Sequence, residues 1–313
     1  MRKSRILVIG DSYAELRTDI KRFPSGGETI FGGGYDYSYG GSGFASAIAL
    51  SRMGAEALCC SRVGDDVFGE KLILSLKQAS VDARFVVKKR NTRTRLNVSG
   101  VDTFGRTNSL RLSGTCGNIE EEDVEEAFLS YPDAVLIHFD LAPELILKAT
   151  VLAKEEGIPV FADGGPSNVS VALGELENIA VFMLNESEIH AYTGVAPDSF
   201  DSCGRACIEL EKKIKAKYYV LKLGDRGAYL YNGKYFKYMP AYDVKTVDES
   251  CAGEAFDAAV ITEYMRSGNI KRACELGCVA GAMTVMTEGG AESVPTLSRM
   301  IRFIEDNEIT FEV

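Results

Sequence analysis

The sequence predicts an α/β protein with a mainly parallel central sheet between helical layers, plus a small β-sheet lid. Two patterns carry this. From residue 119 onward, short apolar runs alternate with helix-like ones, which places helices on both faces of a parallel sheet. Residues 12–39 and 84–112 instead read as extended, Gly- and Tyr-rich or polar segments, suited to a separate small antiparallel sheet. At 313 residues and 46% hydrophobic composition, the chain can bury the core of one domain spanning 1–313.

In order, Ile6 to Gly10 is a short apolar run ending in Gly, read as a buried strand. Tyr35, Tyr37 and Tyr39 alternate, putting three rings on one strand face, either over a pocket, on a dimer face or in the core. Gly40-Gly41-Ser42-Gly43 leads into a helix with Phe44, Ala47 and Ile48 inward. Arg84 to Lys89, Arg95 to Val101 and Thr107 to Leu112 are extended runs assigned to the small sheet. Further strands are expected at Ala134 to Phe139, Pro159 to Ala162, Ala180 to Leu184, Tyr218 to Leu223 and Ala241 to Val247. Helices are expected at Pro143 to Glu156 and Ser199 to Lys215.

Ligands of such sheets lie beyond the carboxyl ends of the strands. Asp11, Asp140, Asp163, Asn185, Glu188, Lys222, Gly224 and the turn Asp248 to Glu254 fall there, a carboxylate-rich rim that favours bound Mg²⁺. In that turn, Cys251-Ala252-Gly253 precedes a helical face of Phe256, Ala259, Val260 and Tyr264. Small residues and unpaired helix-start amides suit a phosphate, and the carboxylate of Glu254 sits inside the first turn. That pairing suits phosphoryl transfer to a hydroxyl. The bland reading is a small-residue turn capped by a helix-favouring Glu.

The net charge of −10 argues against nucleic-acid and anionic-membrane partners. No apolar run approaches a membrane span, and Met1 to Arg5 runs straight into the first strand without a signal peptide, so a cytoplasmic protein with reduced thiols is expected. Eight cysteines and two histidines include no Cys-x-x-Cys pair; buried thiols, not a metal centre, are the reading for Cys203/Cys207 and Cys274/Cys278.

The turn Asp248 to Phe256 resembles the C-terminal signature of the PfkB carbohydrate kinases, the ribokinase-like family, with Asp248, Ala252, Gly253 and Phe256 matching. Glu249 and Ser250 replace two threonines, Cys251 a glycine, and Glu254 the aspartate that serves as base. Gly40 to Gly54 resembles the N-terminal signature, with Ala45 at an asparagine position; Pro24-x-x-Gly27-Glu28-Thr29 and Val63 to Gly69 resemble two further blocks. Asn185 to Glu188 matches Asn-x-x-Glu, Gly224 to Gly227 matches a Leu-Gly-x-x-Gly turn, and Gly290 to Pro295 resembles a C-terminal block.

The resemblance implies a ribokinase-like three-layer fold and an ATP-dependent kinase acting on a hydroxymethyl group of a sugar. It implies Glu254 as base with Cys251, Ala252 and Gly253 as anion cradle. The substrate set is Glu15, Gly40, Gly41, Ser42, Ala45 and Asp140, with Glu15 in place of the usual aspartate. Asn185, Lys222, Gly224 and Gly227 fall to the nucleotide, and Glu188 to Mg²⁺. Asp248, Ser250 and Ser293 surround a monovalent cation such as K⁺ in many members. The small sheet is implied as a lid that pairs two copies. Glu15 and Ala45 point away from ribose. Two rivals stand beside this: a nucleoside kinase, for which Tyr35, Tyr37, Tyr39 and Phe104 would supply a base slot, and a sugar- or nucleotide-binding protein that no longer transfers phosphate.

Overall fold

The computed structural model describes residues 2–103, 107–114, 118–165 and 171–311. Among these, nine strands form one sheet: β1 (Arg5–Ile9), β4 (Glu56–Gly64), β5 (Val86–Lys89), β8 (Ala134–His138), β9 (Val160–Asp163), β10 (Ile179–Asn185), β11 (Ala216–Lys222), β12 (Ala228–Tyr231) and β13 (Phe236–Met239). Their order is β13-β12-β11-β10-β9-β8-β1-β4-β5. All neighbours from β11 to β5 are parallel, and β12 and β13 add an antiparallel edge. The central strands are apolar apart from a polar residue at one end, Arg5, His138 or Asn185, as suits strands covered on both faces.

Helices α1 (Ser42–Arg52), α2 (Val67–Gln78), α7 (Ala252–Ser267), α8 (Ile270–Val285) and α9 (Leu297–Asp306) contribute to the core on one face. Helices α3 (Glu121–Phe128), α4 (Pro143–Glu155), α5 (Glu186–Thr193) and α6 (Phe200–Glu211) cover the other. The expected three-layer α/β architecture is borne out. The seven described cysteines are all unpaired, and Cys59, Cys60, Cys203, Cys207, Cys274 and Cys278 are buried.

The second sheet contains β2 (Tyr13–Asp19), β3 (Tyr35–Gly40), β6 (Leu96–Val101) and β7 (Thr107–Leu112), in the order β3-β2-β6-β7; it is mixed and not antiparallel as expected, because its two antiparallel pairs join through a parallel β2–β6 pair. Register aligns Ser38, Glu15, Asn97 and Arg111 in one row, and Tyr37, Leu16, Val98 and Leu110 in the next. Successive rows point to opposite faces. One face is therefore polar at Glu15, Asn97 and Ser99. The other carries the tyrosines, with Tyr35 and Tyr37 64% and 53% exposed.

Of the expected strands, one sits elsewhere and one does not form. Arg84 to Lys89 was assigned to the small sheet, but Val86–Lys89 pairs with β4 at the edge of the large one. It closes a β4-α2-β5 crossover and buries Val86 in the main core. Ala241 to Val247 forms no strand. Pro240 follows β13 and lacks the N–H a ladder needs, and at the far end Val247 N–H donates to the Val285 carbonyl at 2.7 Å.

Candidate active site

Chain order reverses around β1: the path runs outward to β4 and β5, then returns to β8 on the other side. Such a switch point opens a crevice past the strand ends. A cleft of 910 Å³ lies there, lined by Ser42, Asp140, Asp163, Asn185, Glu188, Lys222, Gly224, Gly227, Ala252, Gly253 and Glu254 among others.

At the switch point, Asp11 follows β1 and Asp140 follows β8. Asp11 is ion-paired with Arg95. Asp140 accepts a 2.6 Å hydrogen bond from Ser42 Oγ, while its Oδ1 is buried with no partner among the described residues. Burial, reinforced by Asp11 and Asp163 against the Ser42 bond, pushes Asp140 up to about 7. Gly41 has φ +106°, and a Cβ there would lie 2.4 Å from the Asp11 carbonyl. Glycine thus lets α1 start against the end of β1, which brings Ser42 to Asp140.

Glu15 lies on the small sheet's polar face and accepts from Asn97 Nδ2 at 2.9 Å and Ser99 Oγ at 2.8 Å. Burial raises Cys251 and Tyr13, and the nearby Glu15 carboxylate adds to both. That face therefore looks towards the start of α7. Ala45 is 2% exposed and belongs to the main core, away from the residues lining the cleft. Gly40 likewise packs on Tyr13: an added Cβ would lie 3.1 Å from its ring. Tyr35, Tyr37 and Tyr39 line none of the cleft. Phe104 lies outside the described residues.

Asn185 caps α5. Its Oδ1 accepts from Glu188 N–H at 3.0 Å, and Glu188 Oε2 accepts from Asn185 N–H at 2.8 Å. Asn185 Nδ2 also donates to Glu188 Oε1 at 2.7 Å. The Asn-x-x-Glu pattern is thus a capping box, and both Glu188 oxygens are engaged. Burial, aided by Asp163, raises Glu188 to about 7. Gly224 and Gly227 bracket the turn after β11; at Gly227 (φ +98°) a Cβ would lie 2.1 Å from the Met239 carbonyl.

The turn before α7 is held by Asp248, which accepts from Ser250 N–H at 2.9 Å and Gly289 N–H at 3.4 Å. Ser293 is buried, its hydroxyl donating to the Gly290 carbonyl at 2.7 Å. Cys251 adopts φ +61°, the left-handed region, which explains why glycine suits this position. Ala252 and Gly253, at the start of α7, line the cleft; the Ala252 N–H donates to the Glu249 carbonyl at 3.3 Å. Glu254 stands beside them; burial raises its proton affinity, Asp163 adds to this and Lys222 opposes it.

Lys222 has unexpected partners. Its Nζ lies 2.6 Å from Asp163 Oδ2 and 2.9 Å from Asp257 Oδ2. Asp257, 0% exposed, sits one turn after Glu254 on α7. Sequence reasoning passed over it; the available signal was an acid on the buried side of α7 between Phe256 and Ala258. His138 Nδ1 is 4.0 Å from Asp163, and its Nε2 lies 2.9 Å from Ser46 Oγ. Burial lowers His138 to about 4, so it is neutral at pH 7.

No group of three or more His, Cys, Asp or Glu side chains suited to hold a metal ion occurs among the described residues.

The mainly parallel sheet thus carries a switch-point cleft with a helix-start turn and a carboxylate in that turn. The pattern of the pfkB family of carbohydrate kinases matches residues 3–297, and the chain belongs to that family. It is 25% identical over 305 residues to the deoxyribokinase of Salmonella typhi, covering 97% of this chain and 99% of that protein. It is 28% identical over 306 residues to the ribokinase of Schizosaccharomyces pombe, covering 93% and 95%. The solved structure of Arabidopsis thaliana ribokinase complexed with ribose and ATP superposes with a TM-score of 0.88 at 21% identity, covering 97% and 99%. The family read from the sequence is borne out, as is the fold.

Proposed function

We propose that this carbohydrate kinase transfers the γ-phosphoryl group of ATP to a hydroxymethyl group of a sugar or sugar-like substrate. The carrying observation is the position of Glu254: a carboxylate in the amide-rich first turn of α7, lining one cleft with Asp140 and with the Asn185 to Gly227 end. The sugar lies at the Ser42–Asp140 end beneath Glu15; the nucleotide lies past Asn185, Gly224 and Gly227. Glu254 takes the proton of the attacking hydroxyl. The sugar oxygen bonds to phosphorus as the bond to the β-phosphate oxygen breaks, and the α7 amides receive the equatorial oxygens. Burial raises the proton affinity of Glu254 and so strengthens it as a base, with Lys222 opposing the rise. Mg²⁺, with its waters near Glu188, would neutralise phosphate charge. Asp248, Ser250 and Ser293 offer only oxygen donors, a set suited to K⁺, where it would brace the turn. The small sheet acts as lid, and its exposed Tyr35, Tyr37, Leu110 and Leu112 form the face for a second copy. The compartment is cytoplasmic.

The nucleoside-kinase reading loses support because its tyrosines face away from the cleft. A coupled ADP-release assay over pentoses, hexoses, polyols and nucleosides, with Mg²⁺ and K⁺, tests the activity. The altered sugar contacts favour a substrate other than ribose. Glu254→Gln should lower kcat at least about 10²-fold with ATP affinity retained. Full phosphotransfer by that variant would refute the base assignment. Binding without phosphorylation of any compound would leave a binding protein.

A further inference from the structure

We propose that Lys222 is a fixed protein cation for the transferred phosphoryl group, held by Asp163 and Asp257 beneath the first turn of α7. Three elements converge on it: Lys222 ends β11, Asp163 ends β9, and Asp257 lies on α7. An ammonium has three donors. Two are spent on Asp163 at 2.6 Å and Asp257 at 2.9 Å. The third has no partner among the described residues, and Lys222 lines the cleft at 13% side-chain exposure. A Cβ built on Gly253 would lie 3.7 Å from Nζ, so the ammonium sits under the same amides that face the phosphate. The remaining N–H and the amide turn thus address one anion from two sides.

The charge state supports this. Burial opposes ionisation of Asp163, yet Lys222, Asp257 and His138 hold it well below the carboxylate range. Burial drives Asp257 well above that range against the pull of Lys222. Lys222 stays charged because Asp163 and Asp257 outweigh its burial. The cluster is built on the Lys222–Asp163 ion pair, with Asp257 as the second acceptor of the same ammonium. The two aspartates are positioning residues: they aim the ammonium and tie the helix that carries Glu254 to the strand ends.

The inference rests on the kinase reading to the extent that a nucleotide phosphate enters the cleft. Its test is binding, which separates the two. ATP and adenosine affinities would be measured by calorimetry with Mg²⁺ for the wild type, Lys222→Met/Asp163→Asn and Asp163→Asn. The double variant removes the two charges of the Lys222–Asp163 pair together. It should bind adenosine as the wild type does and ATP about 10- to 100-fold more weakly, as for loss of a charge-assisted hydrogen bond. Asp163→Asn keeps the ammonium but removes its counter-charge, and should hold or tighten ATP relative to adenosine. An unchanged ATP-to-adenosine ratio in the double variant overturns the proposal. Should that variant not fold, Asp163→Asn decides alone: a fall in the ratio overturns it. Failure of the wild type to phosphorylate any acceptor would sink the kinase reading and leave this result intact.

Discussion

Replacing Asp140 by Asn should make the protein more resistant to unfolding as pH rises. The folded state holds the Asp140 proton until about 7, whereas the ordinary value is 3.8. Between those values the folded chain binds more protons than the unfolded one, so this group costs stability as pH climbs through that window, and the cost is complete above 7. At 1.36 kcal/mol per pH unit, the full penalty is about 4 kcal/mol at most, and about 1.7 kcal/mol is already present at pH 5. Asn cannot ionise. It still accepts from Ser42, but places an amide group where Oδ1 lacks a partner. That defect is independent of pH and cancels in a comparison. The advantage of Asp140→Asn over the wild type should therefore grow by about 2–3 kcal/mol between pH 5 and pH 8. Urea unfolding at both pH values measures it. Curves for the two proteins that stay parallel across that range would refute the reasoning, since they would mean Asp140 is ionised throughout or reaches solvent.

Two further substitutions test the local geometry. Glu188→Gln removes the charge and keeps one acceptor for the Asn185 N–H, but sets its amide nitrogen against the Asn185 Nδ2 donor. It should lose about 1 kcal/mol of stability, and Glu188→Ala, which loses both contacts, about 1–2 kcal/mol. Titration of activity with Mg²⁺ should show a higher requirement in Glu188→Gln, and an unchanged titration would take Glu188 out of the metal's surroundings. Cys251 occupies a left-handed conformation, so Cys251→Gly should stay within about 1 kcal/mol of the wild type, whereas the β-branched Cys251→Val should cost about 2–3 kcal/mol more. Equal urea midpoints for Gly and Val at this position would show that the turn is not strained.

Local patterns were legible in the sequence because they act over a few residues. The helix–strand alternation gave the large sheet, Asn185 and Glu188 read as a unit because they are a capping box, and Glu254 was found through the small-residue turn before it. What escaped depends on distance along the chain. Val86–Lys89 looked like the neighbouring extended runs, and only its partner, β4, assigns it to the large sheet. Ala241 to Val247 had strand-like residues, but a strand also needs an accessible ladder beyond Pro240. The partners of Lys222 lie 59 and 35 residues away, so no motif window holds them together. Ala45 stands at a position read as substrate-binding and is buried in the core; a small apolar side chain allowed the helix to pack there.

The cleft also carries an electrostatic problem that its residues answer. A chain of net charge −10 presents Asp140, Asp163, Glu188 and Glu254 around a site for a polyanion. Left ionised together, these acids would repel the nucleotide. Burial raises three of them, Asp140 and Glu188 to about 7 and Glu254 in the same direction, and Asp163 is neutralised by Lys222. The amides of α7 then act as the exposed positive pole. Lys222 opposes the protonation of both Glu188 and Glu254, and Asp163 favours it in both, so charge alone does not separate them. Their places do: both Glu188 oxygens are tied into the α5 cap by Asn185, whereas Glu254 stands in the turn that lines the cleft with Ala252 and Gly253.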